Sequence, residues 1–283
     1  MTLNSLPPLR VLLSIFLIGA STAHAGPYAP PVGQPGSTAV AHTDPGIVAW
    51  ATVVIDFNPG PVDATVPDGA KASFGSPSNA LGPAWEDTVY GVVSLGDGGS
   101  ITLGFANPIT NGAGADFAVF ENSFDDLFLE LAHVEVSSNG TDFFRFPSFS
   151  LTQTATQVGG FGTLDTTNIH NLAGKYRGGF GTPFDLDDLV GVSPLLNVNA
   201  VTHVRVIDVV GSINPLYATY DSLGNIINDP WKTNFHTGGF DLDGIGVFHV
   251  IPEPSSLALF GLALAIGAGI GLRSRRRSQS NVK

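Results

Sequence analysis

Two copies of Phe-Asp-Leu-Asp, at 184–187 and 240–243, each place two aspartates two positions apart. In an extended chain such residues point to the same side, so Asp185 with Asp187, and Asp241 with Asp243, present paired carboxylates on one face. Adjacent anions repel unless a cation or a donor lies between them. Calcium suits such pairs, being a hard ion that takes about six to eight oxygens from flexible loops. Asp116, Glu121 and Asn122, at the ends of the segment DFAVFEN, make a third oxygen-rich group. The same carboxylates serve equally as turn caps, accepting backbone N–H bonds beside glycine. Paired carboxylates also run glycosidases, but their separation is not legible in sequence.

Other chemistry is sparse. The chain has no cysteine and lacks the serine-hydrolase elbow, the zinc-protease helix, the P-loop and a complete calcium loop, so no catalytic residue is assigned and a non-enzymatic protein is expected. The seven histidines are scattered; His133 and His203 alternate with apolar strand positions and are expected to face solvent. Trp85, Tyr176, Trp231 and Phe235 fall in loop-like sequence, where exposed rings would stack on sugars and buried ones would fill a core. A cleft lined by two carboxylates and loop aromatics would favour a carbohydrate-binding module or carbohydrate-active enzyme over an inert surface protein.

The elements that must position these groups read as strands. Apolar residues make up 43% of the 283, enough for a sizeable core, and 35 glycines with 20 prolines favour a turn-rich β body. Tyr90 to Leu95 and Ser100 to Phe105 read as a hairpin about Asp97-Gly98-Gly99, and AHVEVSS with FFRF as another about Asn139-Gly140. DFAVFEN lacks alternation and reads as an interior strand covered on both faces. VTHVRVIDVV and GIGVFHV read as later strands. Asp44-Pro45 resembles a helix start, predicting a short helix over about 45–55, with a strand as the alternative for TVVIDF. The expected fold is mainly β, a jelly-roll-like two-sheet sandwich with long loops over 147–200. It occupies 44–250 and follows a Pro/Gly-rich linker at 26–43. The two FDLD copies are expected to mark similar turns at sheet edges.

Between Gly26 and Ile251 only six Lys and Arg stand against 23 Asp and Glu. Such a body repels phosphate backbones, which excludes nucleic acid as a partner and leaves cations, neutral sugars or basic proteins. The termini differ. Arg10, the apolar run VLLSIFLIGA and the small residues Ala23 and Ala25 predict a signal peptide over 1–25, cut by signal peptidase after Ala25. At the other end Pro252-Glu253-Pro254 precedes the uncharged stretch 255–272, which as a helix spans about 27 Å, barely a bilayer core. Arg273, Arg275, Arg276 and Arg277 follow, and positive charge of this kind stays on the cytoplasmic side.

This order of Pro-Glu-Pro, short apolar helix and arginine cluster over 251–283 resembles the PEP-CTERM sorting signal of Gram-negative bacteria that make extracellular polysaccharide. The resemblance implies an exosortase-like membrane enzyme that reads Pro252, Glu253 and Pro254. It also implies transient residence in the inner membrane, then release or attachment at the cell surface, with extracellular polysaccharide as a possible partner. The prolines deny the segment a helix and keep it extended for a processing enzyme. Over Ala70 to Val250, VSLGDGGSITLGF, DFAVFEN and VEVSSNG resemble galactose-binding-like sandwiches of surface proteins.

Overall fold

The computed structural model describes residues 26–85 and 91–252. The signal-peptide reading, with Ala23 and Ala25, lies outside these residues, as do Glu253, Pro254, the apolar stretch 255–272 and the arginine cluster. Among the described residues no helix is long and apolar enough to cross a membrane.

Thirteen strands appear among the described residues: β1 (Val40–Ala41), β2 (Ala49–Trp50), β3 (Val53–Asn58), β4 (Val93–Ser94), β5 (Ser100–Ile109), β6 (Phe117–Glu121), β7 (Ala132–Ser137), β8 (Phe144–Arg145), β9 (Phe149–Ser150), β10 (Ile169–His170), β11 (Phe180–Phe184), β12 (Val201–Asp208) and β13 (Asp241–Val247). One sheet runs β1-β11-β6-β13-β2, with β4 also on β13; the other runs β3-β5-β12-β7-β8; β9 and β10 pair separately. All these pairings are antiparallel.

The two large sheets enclose one apolar core. Ile101, Leu103, Val134, Val136, Val204 and Val206 come from one sheet, and Phe117, Val119, Phe184, Leu242, Ile245 and Val247 from the other. β6 is buried along its whole length, as its unbroken apolar pattern requires: Phe117 and Val119 face the core, while Ala118 and Phe120 pack outward beneath Ile47, Trp50 and Phe248. β7 and β8 form the expected hairpin. Asn139 Oδ1 accepts from the Thr141 and Asp142 amides at 2.9 Å each, and Gly140 supplies the positive φ of 74° that the turn needs.

Several expectations are corrected. There is no helix at 45–55. Asp44 does open a turn, accepting from the Gly46 amide at 2.8 Å, but the chain then enters β2, which pairs with β13, and β3, whose β-branched residues gain ladder partners on β5. Residues 26–43 are not a free linker. Tyr28 stacks on His170 at 5.0 Å, Thr38 bonds the Tyr176 hydroxyl at 2.8 Å, and β1 joins the sheet edge beside β11. β4 and β5 are not a hairpin either. Alternation looks the same whether a strand pairs with its neighbour or crosses over, and here β4 pairs with β13 while β5 pairs with β3 and β12. Asp97-Gly98-Gly99 instead arches between the sheets.

His133 is 1% exposed rather than solvent-facing. Residues 148–150 and 221–222 fold over its face of β7, with the Ser148 amide bonding Ser222 Oγ at 2.9 Å. Burial first, then the Arg145 charge, pushes this imidazole down to about 3. The second FDLD is no edge turn: it opens β13, which lies between β6 and β2. The first runs from the end of β11 into a short 3-10 turn, Leu186–Leu189.

Candidate functional site

The antiparallel pairing of β6 with β13 sets Glu121, the last residue of one, opposite Leu242, so that Glu121 and Asp241 share one end of their sheet. In the other sheet Asp208 ends β12 opposite Ala132, two residues beyond Glu130. Asp229, from the loop after β12, accepts from the Leu131 amide at 2.9 Å. Asp208 accepts from the Gly98 amide at 2.8 Å and the Phe240 amide at 2.7 Å, which ties the arch and β13 to the same place. One end of the sandwich therefore gathers carboxylates from both sheets and from the loops between them.

These acids are set in apolar sequence. Leu129, Leu131, Val209 and Ile227 flank Glu130, Asp208 and Asp229, and they join Val158, Leu164, Ile169 and Leu172 in a second core cluster under the long loops. Glu121 is 1% exposed, Asp208 and Asp229 2% each, and Glu130 and Asp241 8% each. Removal from water disfavours the charged form. Burial, with the neighbouring Asp241 charge, pushes the Glu121 carboxyl up to about 8 despite its bonds from Ser123; burial pushes Asp241 up to about 7. Burial and mutual repulsion likewise drive Glu130, Asp208 and Asp229 well above the usual carboxylate range.

Most of this group have donors. Asp241 is held by Ser94 Oγ and the Asn122 side chain, and Glu121 by the Ser123 amide and hydroxyl, although Glu121 Oε1 is buried with no partner. Glu130 differs. The influences on its carboxyl are burial and the charges of Asp241, Glu121, Asp229 and Asp208, with no donor among them. Its backbone is clamped by Gly174, where φ is +79° and a Cβ would run into the Glu130 carbonyl oxygen.

Glu130 and Asp241, with Asn122 and Thr237, line a cavity of about 380 Å³ whose walls are Phe74, Phe124, Phe128, Phe161 and Phe235. Four of the rings form a continuous stack, with centroids 5.2 Å apart for Phe124–Phe128, 5.9 Å for Phe128–Phe161 and 5.7 Å for Phe161–Phe235. Phe124 and Phe161 are each 72% exposed at the rim. A row of wet rings above buried carboxylates is a surface that water alone serves poorly.

Of the residues proposed for metal, only Glu121, Asn122 and Asp241 come together here. Asp116 sits at the opposite end of β6, roughly 17 Å away at ~3.4 Å per residue, where it accepts from the Gly112 and Leu186 amides and from His249 Nδ1, at 2.8, 2.7 and 2.8 Å. Asp185 caps the 3-10 turn through the Asp187 amide at 2.9 Å, and Asp187 accepts from Asn111 Nδ2 at 2.7 Å. Asp243 accepts from the Trp85 amide at 2.9 Å, and its other oxygen has no partner. Among the described residues no three His, Asp or Glu side chains are placed to hold a metal together.

Of the loop aromatics, Phe235 lines the cavity, Tyr176 is fully buried, Trp85 is exposed elsewhere, and Trp231 donates through Nε1 to Asp97 at 2.9 Å. Sequence reasoning missed Glu130, Asp208, Asp229 and four of the five wall rings. The available signal was an acid inside an apolar run: LFLEL for Glu130 and VIDVV for Asp208.

A PEP-CTERM protein-sorting motif matches residues 250–277. No curated protein matches the chain. The motif marks an exported protein sorted through its C-terminus by an exosortase-type membrane enzyme. Its first residues adjoin the folded body directly: Val250 bridges to Ile109, and the Ile251 amide donates to the Pro108 carbonyl at 2.9 Å.

Proposed function

We propose that this chain is an exported, non-enzymatic surface or matrix protein whose β-sandwich presents the phenylalanine-walled cavity as a binding site. The observation that carries this reading is the sorting motif at 250–277, whose first residues, Val250 and Ile251, still bond to the sandwich. With no spacer, the motif holds the body against the outer face of the membrane until processing frees it. Pro252, Glu253 and Pro254 are the residues read, and Arg273, Arg275, Arg276 and Arg277 keep the tail cytoplasmic.

Replacing Pro252-Glu253-Pro254 with three alanines leaves export intact and traps the protein in the inner membrane. Fractionation of cells expressing both forms checks this, and release of the variant at the normal rate would reject the assignment. A carbohydrate-binding module is the second reading, supported by the coexistence of two carboxylates and exposed rings in one cavity.

A further inference from the structure

We propose that the cavity at the acidic end of the sandwich binds a small organic ammonium ion, with Glu130 and Asp241 as counter-charges and the phenylalanine faces as its cage. The proposal rests on the reading of this cavity as the binding site of the body, and is independent of how the protein is sorted.

Glu130 is 8% exposed and lines the cavity, and among the described residues no hydrogen-bond donor reaches its carboxyl, which leaves it open to a ligand held in the cavity. The nearest alternatives fit less well. Calcium needs about six to eight oxygens, and a cavity walled by five phenylalanines supplies few of them. A sugar presents hydroxyls that must both donate and accept, whereas the side-chain polar groups here other than carboxylates are Asn122 and Thr237, and Asn122 already serves Asp241. An alkylammonium asks for neither. On entry its charge favours the ionised form of Glu130 and Asp241, which hold protons in the free protein, so protons leave as the cation binds. Its methyl or methylene groups, which carry part of that charge, lie against ring faces. The volume of about 380 Å³ admits a choline-sized or short polyamine ligand.

The test is calorimetric titration of the full-length chain, purified in detergent at pH 7.5, with choline, with its neutral isostere 3,3-dimethylbutan-1-ol, and with calcium chloride. Choline binds, and the isostere binds at least about tenfold more weakly, because the counter-charges contribute only to a cation. Glu130→Gln, which keeps the shape but cannot ionise when the cation enters, weakens choline by about tenfold or more. Phe161→Leu, which removes one ring face and no carboxyl, weakens it by about fivefold. Equal binding of choline and its isostere would show an apolar pocket without charge selection and overturn the proposal. So would binding of calcium without choline, or no binding at all. Loss of sorting with choline binding retained would reject only the sorting reading.

Discussion

Between pH 6.5 and pH 8 the melting temperature of this protein falls as the pH rises. Glu121, Asp241 and Asp243 ordinarily titrate at 4.5, 3.8 and 3.8; in the fold, burial lifts them to about 8, 7 and 7. Within this window the native chain therefore holds protons that the unfolded chain has already lost. Stability is fully present below the unfolded values and is lost as the pH rises through the folded ones. Each group costs ~1.4 kcal/mol per pH unit while the difference lasts, and Glu130, Asp208 and Asp229 act with the same sign.

Mutual repulsion staggers the ionisations, so the expected loss across the window is on the order of 2–4 kcal/mol. The lower bound is set by His133, which is buried neutral, pushed down to about 3, and acts oppositely below its ordinary 6.5. The upper bound is set by Lys175, whose ammonium burial pushes down to about 8 and which opposes the slope above that pH. Asp63, Asp125 and Asp221, held below the usual range, change stability only near pH 4 or lower. Calorimetric melts at pH 6.5, 7.2 and 8.0 check this, and a flat or rising trend would contradict it. Glu121→Gln with Asp241→Asn flattens the slope and raises the melting temperature at pH 8.

Phe117→Ala lowers stability by about 3–5 kcal/mol. Phe117 is fully buried at the start of β6, stacked on Phe184 of β11 at 5.4 Å and edge-on to Phe146 beyond β8 at 5.8 Å; Phe146 meets Phe184 at 5.0 Å. The three rings join the two sheets, so truncating the central one leaves a cavity that neither sheet closes without shifting the other. Urea unfolding at pH 6.5 measures the cost. A loss under about 1 kcal/mol would mean that the sheets are not locked through this ring. The phenylalanine-walled cavity lies at the other end of β6 and is expected to be unaffected.

Local pattern carried the strands, and topology carried the rest. DFAVFEN announced burial on both faces because its centre, Phe117 to Phe120, has no polar position, and Asn139-Gly140 announced a hairpin because its turn chemistry is local. The β4–β5 error has the opposite origin: which sheet a strand joins depends on partners about a hundred residues or more away, here β13 and β12. The His133 error is alike, since alternation identifies the outer face of β7 but not the loop that covers it. At 45–55 the cap of Asp44 was real, yet it governed a single turn and the β-branched residues after it governed the strand. The paired aspartates invited a metal reading because spacing is visible and hydrogen bonds are not; Asp185 proves to be a cap. Glu130 was overlooked for the converse reason, being single in sequence and one of a group only in space.

The most direct test of the account is intact-mass spectrometry of the protein recovered from the cell exterior. The account predicts a chain that begins at Gly26 and ends at or near Pro252-Glu253-Pro254, without the apolar stretch 255–272 or the arginines beyond it. An exterior protein that still carries the residues through Lys283 would contradict it.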